Sequence, residues 1–185
     1  MKRIRPLLGL VGLLITCVVL SSSVKSGVKK SVLARAEFTR TSIDFGIVVR
    51  DIQKSVEFYT KGLGFSEIQG FDVPPDVGRD SGLADNYPFH VHVLVLGQDK
   101  DATRVKLMQF KGVSSKAVDH DFIHSSLGMS YTTIWVKDIT SAVARAEKYG
   151  AKPRAKGPIA LPGDLYLAVV DDPDGNIVEL VGPKN

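Results

Sequence analysis

Asp44, His90, His92, Lys106, Tyr131 and Glu179 carry the groups from which this sequence can build a site. Carboxylates and imidazoles hold divalent cations or move protons, an ammonium steadies an oxyanion, and a phenol donates a hydrogen bond. Glu179 closes the run DDPDGNIVEL, Asp171 to Leu180. Asp-Pro-Asp-Gly-Asn is turn chemistry, and Ile-Val-Glu-Leu reads as a short apolar strand with one carboxylate. Such a carboxylate either faces water or faces a cavity that uses its charge.

The elements that must position these groups are short and well punctuated. SIDFGIVVRD, from Ser42, reads as a strand, and Asp51 is placed to cap a helix over Val56, Phe58, Tyr59 and Leu63 that Gly62 and Gly64 end. Phe65 to Val73 is extended, Pro74 to Pro88 is a loop, and Phe89 to Leu96 and Thr103 to Phe110 are strands. Val113 to Gly128 is a polar linker. The opening pattern then returns: IVVRDIQKSV from Ile47 matches IWVKDITSAV from Ile134 at five identities and one basic swap. A helix from Ile139 to Tyr149 follows, then strands over Lys152 to Leu161, Leu165 to Val170 and Ile177 to Val181. Two copies are too few for a solenoid, so the repeat predicts a paired-module domain.

The expected fold is α+β. Two βαβββ modules form a curved, eight-stranded open barrel around a cavity, with the helices outside. Alternation aims Asp44, His90, His92, Lys106, Met108, Tyr131, Thr133, Trp135, Tyr166 and Glu179 at the concave faces.

Composition is that of an ordinary globular chain of 185 residues. Its net charge of +4 misleads, because Lys2, Arg3, Arg5, Lys25, Lys29 and Lys30 are six of the seven basic residues that precede the first acidic residue, Glu37. Without those six, 18 basic residues face 20 acidic ones, which excludes a nucleic-acid partner. A basic start followed by the apolar run Leu7 to Leu20 reads as a signal peptide over 1–23, with an uncleaved anchor as the rival. Export to the periplasm or medium follows, with membrane contact only through that leader. Residues 24–41 read as a flexible tether. Cys17 is the sole cysteine, so the exported body has neither disulfide nor thiolate site.

FYTKGLGF at Phe58 to Phe65, V-[RK]-D-I before each helix, and DPDGNIVEL at Asp172 to Leu180 resemble the vicinal oxygen chelate superfamily of glyoxalase I, bleomycin-resistance proteins and extradiol dioxygenases. The resemblance covers residues 42–183, as module one (42–112), linker (113–128) and module two (129–183). It implies a divalent metal (zinc, nickel, iron or manganese) held by four concave-face side chains. Those positions fall here on Asp44, Lys106, Tyr131 and Glu179. A protonated lysine has no lone pair for a metal. Lys106 is therefore expected to pair with Asp44 and Glu179, with the Tyr131 hydroxyl added.

Two functions stay open. The first is a metal-free, homodimeric binder of a small molecule between the modules, using Tyr131, Trp135, Thr133, Met108, His90, His92 and Tyr166. The second is a metal-dependent lyase, isomerase or dioxygenase built on Asp44 and Glu179 with His90 or His92. A metal-free variant of the enzyme would use Glu179 as base and Lys106 as electrostatic stabiliser. His120 and His124 read as solvated linker residues.

Overall fold

The computed structural model describes residues 38–185, and Arg40–Asn185 form one compact unit. The leader and most of the tether lie outside the described residues. Among the described residues, no helix is long and apolar enough to cross a membrane.

The first module runs β1 (Asp44–Val48), α1 (Ile52–Glu57), β2 (Ser66–Val73), α2 (Pro75–Asp80), β3 (Phe89–Val95) and β4 (Arg104–Met108). The second runs β5 (Tyr131–Trp135), α3 (Ile139–Lys148), β6 (Lys152–Pro153), β7 (Ile159–Leu161), β8 (Leu165–Asp171) and β9 (Ile177–Pro183). The repeat is visible in the caps. Asp51 accepts from the Lys54 N–H at the start of α1, and Asp138 accepts from the Thr140 and Ser141 N–H groups at the start of α3. Past Glu57 the helix widens into a π-helical turn, Phe58–Gly62, which buries Phe58 and Tyr59.

Sheet one has the order β1-β4-β3-β2, with β1 parallel to β4 and the other pairs antiparallel. Sheet two has the order β5-β9-β8-β6, with β7 also on β8. The α+β class and the module order are as expected. The two sheets do not close into an eight-stranded barrel: among the described residues, β1 and β5 pair only with β4 and β9, leaving one edge of each without a ladder partner. Two further details differ. The Pro74 to Pro88 loop contains α2, and the segment from Lys152 to Leu161 divides into β6 and β7.

The main core lies between the sheets' inner faces and the helices. Leu94, Val105 and Leu107 of sheet one, Val170, Val178 and Leu180 of sheet two, and Phe58, Ile139, Ala142 and Ala146 of the helices belong to it. Small residues let the helices approach closely. A β-carbon at Gly62 would lie 3.7 Å from Ala146 Cα, and the Arg145 guanidinium donates to the Gly62 carbonyl at 2.9 Å. A second, smaller core of Phe89, Val91 and Val93, with Met108 and Phe110, sits on the opposite face of sheet one. Ala84, in the segment after α2, packs against it.

Candidate functional site

Strand register decides which predicted residues meet. In sheet one, Gly46 and Val93 both sit opposite Lys106, and Asp44 sits opposite Arg104, so Asp44 and Lys106 share the outer face. Lys106 Nζ lies 3.0 Å from Asp44 Oδ2, and Arg40 Nη2 reaches the same oxygen at 2.6 Å. The Asp44 side chain keeps only 13% of its exposure. Its burial pushes the carboxyl pKa up, but hydrogen bonds and charge from Arg40 and Lys106 outweigh this, and it falls below the usual carboxylate value. Met108 lies over Gly46, whose β-carbon would meet Met108 Cε at 3.3 Å, and packs into the smaller core.

In sheet two, Tyr131, Thr133 and Trp135 share the outer face with Glu179, and the Thr133 hydroxyl donates to Glu179 Oε2 at 2.7 Å. Trp135 is 69% exposed and Tyr131 47% exposed, so neither is a core residue. The expected ion pair between Lys106 and Glu179 is not formed. The reason is topological: the two residues belong to separate sheets, and each charge is satisfied within its own.

Three expected residues face the other way. His92 is opposite Leu107, so His90 and His92 share the face of the buried Leu94 and Leu107, away from Asp44 and Lys106. Tyr166 is opposite Gly182 and packs against the main core beside Leu180, not beside Glu179. His90 and His92 therefore join neither Asp44 nor Glu179.

A cavity of about 650 Å³ does lie between the modules, at the seam between the unpaired edges of β1 and β5. Its size is that of a small-molecule site. Phe45, Ile47, Val48, Phe110, Val118, Met129 and Ile177 supply apolar wall, and the linker from Val113 to Val118 passes along it. Polar groups come from Arg50, Gln109, Lys116, His120, Ser130, Asp174 and Asn176. Tyr131 is the one expected ligand-binding residue that lines it. His120, expected to be solvated, is half-buried there, with Nδ1 3.2 Å from the Gly175 carbonyl oxygen.

The DPDGN turn frames this cavity. Asp172 accepts from Tyr59 Oη, from the N–H groups of Asp174 and Asn176, and from Asn176 Nδ2. Gly175, at φ +89°, takes a conformation that side-chain-bearing residues rarely adopt. The turn so fixed presents Asp174, whose carboxylate accepts from the Arg50 N–H at 3.2 Å. Arg50, Lys116, His120 and Asp174 escaped the sequence reading as site residues. The available signals were the unexplained DPDGN carboxylates and His120, one of two histidines in the linker.

The donor set at the four positions implied by resemblance does not fit a metal. Lys106 offers an ammonium, Asp44 Oδ2 is held by two cations, and Tyr131 and Glu179 lie on the other sheet. Among the described residues, no group of three or more His, Cys, Asp or Glu side chains is placed to hold a metal.

Fold and cavity define a paired-module α+β domain with a pocket at the module seam. The family model described as the Glyoxalase/Bleomycin resistance protein/Dioxygenase superfamily matches residues 41–180, and the chain belongs to that superfamily. It is 25% identical over 138 residues to lactoylglutathione lyase of Salmonella typhimurium, covering 74% of this chain and 88% of the relative. A glyoxalase family protein from Bacillus cereus shares the fold at a TM-score of 0.67, with 20% identity over 82% of this chain and 99% of that one. Glyoxalase I of Leishmania major matches at a TM-score of 0.56 and 26% identity, over 78% and 87% of the two chains.

Proposed function

We propose that this chain is an exported small-molecule-binding protein of the glyoxalase and bleomycin-resistance type. Its ligand is amphipathic, with an apolar body and an anionic head, and occupies the seam cavity without a metal. The observation that carries this reading is the cavity itself: about 650 Å³, apolar along β1 and the linker, with Lys116 and His120 as polar groups. Asp174 is matched by the Arg50 backbone N–H at 3.2 Å and the Arg50 guanidinium at 3.8 Å, which leaves Lys116 to receive an anion. A thermal-shift screen of aromatic and aliphatic carboxylates tests it, since a ligand bound only by the folded state raises the melting temperature. A hit whose affinity drops about tenfold in Lys116→Ala, about 1.4 kcal/mol, supports the reading. A screen with no shift, or a hit indifferent to Lys116, sinks it.

A second reading, a metal-dependent lyase, isomerase or dioxygenase, is favoured by one observation: Asp44 Oδ1 is buried without a hydrogen-bond partner. Elemental analysis separates the two. Stoichiometric metal retained by a His90→Ala/His92→Ala double variant, but lost with Asp44→Asn, selects the enzyme. Export is tested by the intact mass of protein recovered from the periplasm of a bacterial host, which should lack the first 20 or so residues if the leader is cleaved.

A further inference from the structure

His90 and His92, excluded from the expected site by their orientation, form an arrangement of their own on the helix-side face of sheet one. His90 Nδ1 lies 2.7 Å from Asp72 Oδ1, and His92 Nδ1 lies 2.8 Å from Glu67 Oε1. A carboxylate only accepts, so each imidazole carries a proton on Nδ1, and in its neutral form keeps the lone pair on Nε2. A carboxylate behind an imidazole is the outer-shell arrangement that orients a metal-binding histidine. The two rings stand 4.8 Å apart and nearly perpendicular, at 75°. Two imidazoles bound to one ion at metal–nitrogen distances of about 2.0–2.1 Å have centroids about 4.5–5.5 Å apart at right-angled to tetrahedral geometry.

The close approach of His90 to β2 has a local cause. The ladder between β2 and β3 slips between Ile68 and Phe71, and Gly70 lies in that bulge. A β-carbon at Gly70 would sit 2.8 Å from His90 Nε2 and would collide with the Val91 carbonyl. Glycine therefore removes the side chain that would crowd Nε2 of His90. The side chains are accessible, His90 at 46% and His92 at 25% exposure.

We propose that His90 and His92, oriented by Asp72 and Glu67, bind one divalent transition-metal ion such as Zn²⁺, Ni²⁺ or Cu²⁺, with water completing the coordination. Neutral imidazole suits these ions. The site is separate from the seam cavity and does not depend on what that cavity binds.

The test is isothermal titration of the untagged full-length chain with Zn²⁺ and Ni²⁺, with far-UV circular dichroism confirming that each variant is folded. One saturable site is expected. His90→Ala and His92→Ala should each abolish it. Asp72→Asn and Glu67→Gln should weaken it about 10- to 100-fold, the usual effect of removing an outer-shell partner. Asp44→Asn and Lys116→Ala should leave it unchanged. Bound Cu²⁺ should show electron-spin coupling to two nitrogens. No saturable binding, or equal binding by His90→Ala/His92→Ala, overturns the proposal and leaves the four residues as two ion pairs joining β2 to β3.

Discussion

The Tyr59 hydroxyl donates to Asp172 Oδ2 at 3.1 Å, and this bond ties the helical segment of the first module to the turn that opens the last strand of the second. Both residues are buried. Phe58 and Phe65 hold the Tyr59 ring edge-on, at 5.2 and 5.8 Å. Tyr59 also lines the seam cavity, so the bond supports both the module contact and the cavity wall.

Tyr59→Phe should lower stability by about 1–3 kcal/mol, because it removes a donor from a buried carboxylate. Urea denaturation measures this. The wild type should also weaken in alkali. Burial, then the charge and hydrogen bond of Asp172, raise the Tyr59 pKa well above 10. A raised folded-state pKa favours the protonated phenol, so the contribution is complete below about pH 10 and is lost as pH rises through the folded value. Melting temperatures between pH 9 and 11 should fall more steeply in the wild type than in Tyr59→Phe.

Asp44 works at the other end of the scale. Its folded pKa lies below 3.8, so its contribution is present above that value and is lost as pH falls through the folded one. Asp44→Asn should flatten the acid limb of the stability curve and lower neutral stability by the same small amount, since Arg40 and Lys106 remain partly hydrated. An unchanged acid limb would show that the Arg40–Asp44–Lys106 cluster carries no weight in the folded state.

The exposed outer faces predict self-association. Val48, Tyr131 and Trp135 are apolar and exposed, with Lys106 on one sheet, Arg40 just before its first strand, and Glu179 on the other sheet. A second copy can cover both faces and match the charges. Sedimentation velocity should find a dimer, and Trp135→Glu should shift it towards monomer. A wild-type monomer at 100 μM or so would end this idea, since a stable homodimer binds well below that concentration.

Local chemistry was legible in the sequence and long-range pairing was not. Asp51 and Asp138 cap their helices, and Gly175 takes the positive φ of the DPDGN turn, because caps and turns depend on nearest neighbours. Alternation in β3 correctly separates Phe89, Val91 and Val93 from His90, His92 and Leu94. It cannot say which set meets the helices, because each face of β3 carries a buried apolar residue, Val91 or Val93 on one and Leu94 on the other. The answer lies with Met108 and Ala84, which give Val91 a small core of its own and release Leu94 to the main one. Tyr166 misleads in the same way, because Ala168 and Val170 share its face under α3. The seam cavity needs the linker, Asp174 and β1 brought together over more than a hundred residues.

The contact between α1's π-helical turn and α3 predicts two substitutions of opposite sign. Ala146 is fully buried against Gly62. Ala146→Leu adds three carbons where the neighbouring surfaces already touch, and should destabilise by about 1–3 kcal/mol through overpacking. Gly62→Ala behaves differently. Its new β-carbon would meet Tyr149 Cβ at 3.5 Å, Phe58 at 3.6 Å and Ala146 Cα at 3.7 Å, all ordinary van der Waals contacts. The backbone at Gly62 is not among the positive-φ glycines, so alanine fits without strain. The change should stabilise by about 0.4–1 kcal/mol, because alanine reduces the freedom of the unfolded chain. Denaturant midpoints moving in opposite directions would confirm that the helices touch at this spacing. If Gly62→Ala destabilised as strongly as Ala146→Leu, the packing at Gly62 would have to be tighter than these distances.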